Sequence, residues 1–134
     1  MQSTIADNTS IVDNGALVAD SGLVLTRDIS IRESTFSGNS GHPVGAVNVG
    51  GAVRITGKYD VQILHSTFAF NSPGAISVQT FGNNNVLTIH HTLLSDNTLG
   101  PNCGAFTGYT NPDLEHNLDS DGSCGFSTSL SRLK

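Results

Sequence analysis

Ile63-Leu64-His65-Ser66-Thr67-Phe68-Ala69-Phe70-Asn71 decides how the rest of the chain is read, because the same residue types return elsewhere in the same order. Ile31-Arg32-Glu33-Ser34-Thr35-Phe36-Ser37-Gly38-Asn39 precedes it, and Ile89-His90-His91-Thr92-Leu93-Leu94-Ser95-Asp96-Asn97 follows with Leu94 in the Phe slot. Ser3-Thr4-Ile5-Ala6-Asp7-Asn8 is a partial copy. The residues Asn8, Asn39, Asn71 and Asn97 stand 31, 32 and 26 positions apart, a spacing that signals stacked repeats.

Just before each copy, Ile29-x-Ile31, Val61-x-Ile63 and Leu87-x-Ile89 alternate with a period of two, which turns one face of a strand inward. A Gly-Ala-apolar start opens each unit at Gly15-Ala16-Leu17, Gly45-Ala46-Val47 and Gly74-Ala75-Ile76. The second unit carries an extra Gly50-Gly51-Ala52-Val53-Arg54-Ile55, read as a second short strand or a bulged side. One unit cannot bury its own apolar residues, whereas copies stacked at about 4.8 Å set Ile on Ile and Phe on Phe. The expected fold is therefore an all-β parallel β-helix, a solenoid, with stacked coils over 1–100 and a loop segment over 101–134. In it Phe36, Phe68 and Leu94 form an apolar column, and Asn39, Asn71 and Asn97 an amide ladder. A β-sandwich is the alternative; its hairpins need tight turns between strands and make the repeat an accident.

The 134 residues fit one domain, and 13% of them are charged, about half of the roughly 25% usual for soluble domains. Ser, Thr, Asn and Gly take their place, a composition poor in helix formers. A net charge of −5, with Arg27, Arg32, Arg54, Lys58, Arg132 and Lys134 scattered, provides no basic stripe for phosphates and argues against a nucleic-acid partner. No run approaches the roughly 20 apolar residues of a membrane span, and no charged segment with an apolar core follows Met1. The chain reads as a fragment of a longer exported protein whose signal and anchor lie outside it. Cys103 and Cys124, in one loop-rich segment, suit a disulfide of such a protein; reduced cytosolic thiols are the alternative.

Gly50-Gly51-Ala52-Val53, with Phe36-x-x-Asn39 and Phe68-x-x-Asn71, resembles the repeats of bacterial right-handed parallel β-helix proteins, including the polymorphic outer-membrane proteins. Leu94-Ser95-Asp96-Asn97, Asn102-Cys103 and the run His116-Asn117-Leu118-Asp119-Ser120-Asp121-Gly122-Ser123-Cys124-Gly125-Phe126 are similar to the closing segment of the bacterial surface β-helix proteins called choice-of-anchor Q domain proteins. The resemblance implies right-handed coils and a place at the cell surface. In that family the helix continues toward a C-terminal anchor or sorting region, where this chain has only residues 127–134.

Several constellations bear on chemistry. Asn117-x-Asp119-x-Asp121-Gly122 spaces oxygen ligands two apart before a Gly, which makes calcium the candidate ion. Thr128 stands where such a loop carries a bidentate Glu, and this favours an Asx-rich turn. Glu33, His65 and His91 share one slot of successive units, so stacking puts them in one column. They lack the third ligand of a metal pair and the cleft of an acid/base pair, and the preferred reading is a polar turn column. His42, His90 and His116 have no patterned partner. Asp28 and Asp60 each precede their strand by one residue, which brings two carboxylates within one strand spacing on an outer face, as in β-helix enzymes that act on polysaccharides. Their nearest basic groups are Arg27, Arg54 and Lys58, and Val86 ends the acidic column. Tyr59, Phe70, Phe81, Phe106 and Tyr109 are the rings available to a sugar or a partner, with Phe70 and Phe81 alternatively covering coil ends.

The expected function is that of a non-enzymatic segment of an exported bacterial surface protein, extracellular or at the cell surface. It would act as a stalk or adhesive face for a polysaccharide or a host or cell-surface protein, with no cofactor unless calcium binds. The alternative is a fragment of a polysaccharide lyase or glycoside hydrolase that uses Asp28 and Asp60. Carboxylates gathered with a basic residue in one groove would favour the enzyme; a flat face of Ser, Thr and Asn would favour the stalk.

Overall fold

A computed structural model describes residues 2–10, 16–20, 27–41, 51–81, 85–104, 106–110 and 112–126. Gly15, His42, Gly45-Ala46-Val47, Gly50 and Thr128 fall outside the described residues. The strands are β1 (Ser3–Ala6), β2 (Leu17–Asp20), β3 (Arg27–Arg32), β4 (Ser34–Ser37), β5 (Val53–Gly57) and β6 (Tyr59–Leu64). After them come β7 (Thr67–Ala69), β8 (Ile76–Thr80), β9 (Leu87–His90), β10 (Leu93–Ser95) and β11 (Leu118–Asp119). The protein is all-β, with no helix among the described residues, and none there is long and apolar enough to cross a membrane.

The strands form three sheets. Sheet I has the order β1-β4-β7-β10-β11, sheet II the order β2-β5-β8, and sheet III the order β3-β6-β9. Taken along the chain, β2, β3 and β4 visit sheets II, III and I, and β5 to β7 and β8 to β10 repeat the visit. All named pairs are parallel, and each strand lies beside its counterpart one repeat away. The hairpins of a sandwich therefore have no place among the described residues. Isolated parallel bridges at Cys103–Ile76, Thr107–Gln79 and Asp113–Thr88, with β11 beside β10, carry the same order through the segment after residue 100.

Alternation and register together make the core. Ile29, Val61 and Leu87 stand opposite one another, as do Ile31, Ile63 and Ile89, and all but the partly buried Ile29 are buried. Phe36 pairs with Phe68 and Phe68 with Leu94; the two rings stack with centroids 4.8 Å apart, the strand spacing itself. Leu17, Val53 and Ile76 form the matching column of sheet II. Gly51-Ala52-Val53 thus holds the place expected for Gly45-Ala46-Val47, and the apparent extra strand of the second unit is a strand every unit has. Gly51 cannot be larger there, because a Cβ would lie 2.5 Å from the Ser72 carbonyl.

Beside the Phe column, Asn8, Asn39 and Asn71 each pass an amide hydrogen to the side-chain oxygen of the next Asn, ending at Asn97, at 2.9 Å in all three steps. Asn102 continues the ladder, accepting from Asn97 at 2.8 Å. The residue before each of the first four rungs, Asp7, Gly38, Phe70 or Asp96, has positive φ and turns the chain out of sheet I. The Sγ atoms of Cys103 and Cys124 are bonded, which closes a loop across a sequence separation of 21. Reduction is expected to lower the unfolding free energy by about 3 kcal/mol through loop entropy, read as a lower urea midpoint for the Cys103→Ser/Cys124→Ser variant.

Candidate functional site

Sheet III presents a polar outer face because the residues between its inward Ile, Val and Leu alternate outward. Asp28 and Asp60 are register partners and lie within β3 and β6 rather than one residue ahead of them. They line a groove of about 340 Å³ together with Ser30, Arg32, Gln62 and Val86. Arg32 is its basic group; Arg54 belongs to sheet II, and neither Arg27 nor Lys58 lines the groove. Arg32 Nη2 donates to Gln62 Oε1 at 2.6 Å and Nε to Ser30 Oγ at 2.8 Å, so the guanidinium bridges two strands. Asp60 Oδ1 accepts the Val86 N–H at 2.7 Å. Arg32 and Gln62 were readable from the outward alternation of Asp28, Ser30, Arg32 and of Asp60, Gln62, but neither stands out by residue type.

Where sheet III meets sheet I, the chain turns through Glu33, His65, His91 and His116, all with φ between 48° and 55°. The residue after each one ties down that left-handed corner: Ser34, Ser66 and Thr92 hydroxyls donate to the carbonyl two residues back, at 2.7, 2.9 and 3.0 Å. Asn117 serves the last corner, accepting the Thr92 N–H and donating to the Ile89 carbonyl. As a result three imidazoles stack face to face on the outer surface, His65 on His91 at 4.8 Å and His91 on His116 at 5.1 Å. His116 therefore does have a partner, in a fourth copy degenerate enough to hide: His116-Asn117-Leu118-Asp119 beneath His91-Thr92-Leu93-Leu94. His90 has partners as well; its ring meets His91 edge-on at 6.2 Å, and its buried Nε2 lies 2.6 Å from Asp113 Oδ1.

His91 has its pKa held below the usual imidazole value. Loss of water from its ring comes first, followed by repulsion from His65, His116 and His90. With the ring planes parallel, each nitrogen lone pair lies in its own ring's plane rather than pointing at the next ring, and among the described residues no three His, Cys, Asp or Glu side chains are grouped to hold a metal ion.

Asn117, Asp119 and Asp121 fall at the end of the stack. Asp119 occupies the next position in the Phe column, opposite Leu94. Its Oδ1 accepts from Asn102 Nδ2 at 2.6 Å and its Oδ2 from the Cys124 N–H at 2.8 Å. Burial raises its pKa, against the pull of these two hydrogen bonds. Asp121 accepts the Ser123 and Asn102 N–H groups at 2.9 Å each. Its own desolvation pushes its pKa up, but the hydrogen bonds from Ser123 and Asn102 outweigh that and leave it lowered. With Asn117 Oδ1 on the Thr92 N–H, all five side-chain oxygens of the trio accept N–H groups, which is the work of turn caps.

No family model matches the chain, and neither a curated protein nor a solved structure matches it. Of the rings available to a sugar, Tyr59 is buried, Phe106 and Tyr109 are partly buried, and Phe70 and Phe81 are exposed. Burial, with the nearby Asp60 charge second, raises the Tyr109 pKa, and its hydroxyl donates to the Tyr59 carbonyl at 3.4 Å.

Proposed function

We propose that the three parallel sheets are the faces of a right-handed parallel β-helix, part of an exported bacterial surface protein of the kind the sequence resembles, and that the sheet III groove contacts polysaccharide without cleaving it. The observation that carries this reading is the set of hydrogen bonds on Arg32 and Asp60, which fixes both side chains before any ligand arrives. A guanidinium and a carboxylate already hydrogen-bonded to a sheet offer donors and acceptors to sugar hydroxyls with little further ordering. The Cys103–Cys124 bond suits an oxidising location. On sheet I the outward residues Thr4, Thr35 and Thr67 stand in register, a hydroxyl row consistent with an adhesive face.

A hydrolase or lyase is the second reading, favoured by Asp28, Asp60 and Arg32 sharing one groove. As register partners on adjacent strands, Asp28 and Asp60 have backbones about one strand spacing of 4.8 Å apart, which suits the short carboxyl separation of roughly 5 Å in a retaining pair. They stand side by side on one sheet, however, rather than on opposite sides of a bound sugar, and Asp60 already holds a backbone amide. Binding and product release should be measured together on acidic and neutral polysaccharides, with and without calcium. Retention weakened by Arg32→Ala or Gln62→Ala, with no new reducing ends or unsaturated products, is the expected result. Product formation abolished by Asp28→Asn or Asp60→Asn would replace the binding reading with the enzymatic one.

A further inference from the structure

The histidine corner serves neither the groove nor the core, yet four of the five histidines of the chain gather there. We propose that this corner is an acid-sensitive seam: neutral rings stack and hold the turns between sheets III and I, and protonation drives them apart. The proposal is independent of what the sheet III groove binds.

Its geometric basis is the stack itself. His91 has an imidazole on each face, at 4.8 and 5.1 Å, so its protonation sets a positive charge between two further imidazole rings. The charged neighbours are few and placed at the rim. Glu33 is the next corner of the column beyond His65, and Glu115 Oε2 lies 3.8 Å from His116 Nδ1. Asp113 is engaged with His90, whose ring meets His91 by its edge. On the sheet III side Arg32 is turned to Ser30 and Gln62, and on the sheet I side Ser34, Ser66, Thr92 and Asn117 are uncharged. The carboxylates thus sit beside the outer members of the cluster, and the central ring is left facing imidazoles.

The sign follows from linkage. Since the folded protein holds His91 below the ordinary 6.5, the unfolded chain takes up the proton more readily. The stabilisation from this ring is complete above pH 6.5 and is lost as pH falls through the folded pKa. It should be lost locally, at the corners, because the Asn ladder on the far edge of sheet I contains no titrating group from Asn8 to Asn97.

The test is an NMR titration of the histidine rings combined with amide hydrogen exchange at pH 7.5 and 5. His91 is expected to titrate below 6.5. Protection at the His65, Thr92, Leu93 and Leu118 amides, whose hydrogen bonds join successive corners, is expected to drop on acidification, while Asn39 and Asn71 stay protected. His91→Phe keeps a ring in the stack but cannot titrate, and should abolish the drop. His65→Gln removes one stacked neighbour and should move the His91 midpoint up toward 6.5, a readout that holds if His91→Phe does not fold. A His91 midpoint at or above 6.5, a midpoint unmoved in His65→Gln, or an acid response retained in His91→Phe would overturn the proposal. The last outcome would place the acid response outside the His91 ring.

Discussion

Replacing Phe68 by Ala is expected to lower the unfolding free energy by about 3–5 kcal/mol, the range for truncating a large aromatic side chain in a rigid core. Phe68 has no exposed surface, stacks on Phe36 and stands opposite Leu94, so the void would open in the middle of the column with neighbours held in place by strand pairing on both sides. Against a total of about 5–15 kcal/mol for a domain, such a loss approaches unfolding. Urea denaturation followed by far-ultraviolet circular dichroism reads it directly. A loss under about 1 kcal/mol would mean that the ring is not packed as described, because removing a whole packed aromatic side chain costs well above that value.

The second large effect is polar. Asn71 is fully buried, and its Oδ1 accepts both the backbone N–H and the side-chain amide of Asn39. Its Nδ2 donates to the Phe36 carbonyl and to Asn97 Oδ1. Asn71→Ala therefore removes one partner from each of two donors and two acceptors. Asn39 Nδ2 keeps the Ile5 carbonyl and Asn97 Oδ1 the backbone N–H of residue 71; at about 1–3 kcal/mol for each of the two groups that lose this partner without such a second one, the expected cost is on the order of 4 kcal/mol. Asn71→Asp separates hydrogen bonding from size. It keeps the acceptor for Asn39 but turns a carboxylate oxygen toward the Phe36 carbonyl and Asn97 Oδ1, and should cost nearly as much. If the Asp variant is as stable as wild type in the same urea titration, the ladder does not run in the direction described.

Much of this architecture was legible because one register serves both core and ladder. Ile31, Ile63 and Ile89, Phe36, Phe68 and Leu94, and Asn39, Asn71 and Asn97 recur at matching offsets, and stacking is the physical arrangement that gives each recurrence a neighbour. The first strand of each unit was less visible. The next inward residue after Leu17, Val53 and Ile76 changes from Ala19 to Ile55 to Val78, and the attractive Gly45-Ala46-Val47 lies outside the described residues. The fourth unit was hidden for another reason. Asp119 stands where the column calls for an apolar side chain and is tolerated only because Asn102 and Cys124 supply hydrogen bonds, a contact made across 17 and 5 residues. His116 was lost with it, and so was the three-ring stack. In the groove, Asp28 and Asp60 were found by matching position, whereas Arg32 and Gln62 belong to it through a cross-strand hydrogen bond between residues 30 apart.

The stacking of repeats about 30 residues apart underlies the core, the groove and the histidine seam alike, and nuclear Overhauser contacts on isotopically labelled protein test it most directly. Cross-peaks linking Ile31 to Ile63, Ile63 to Ile89 and the Phe36 ring to the Phe68 ring are expected, with the amide contacts of parallel strands between β6 and β9. Their absence, with close Hα–Hα contacts between consecutive strands such as β6 and β7 in their place, would show antiparallel hairpins and contradict the stacked arrangement.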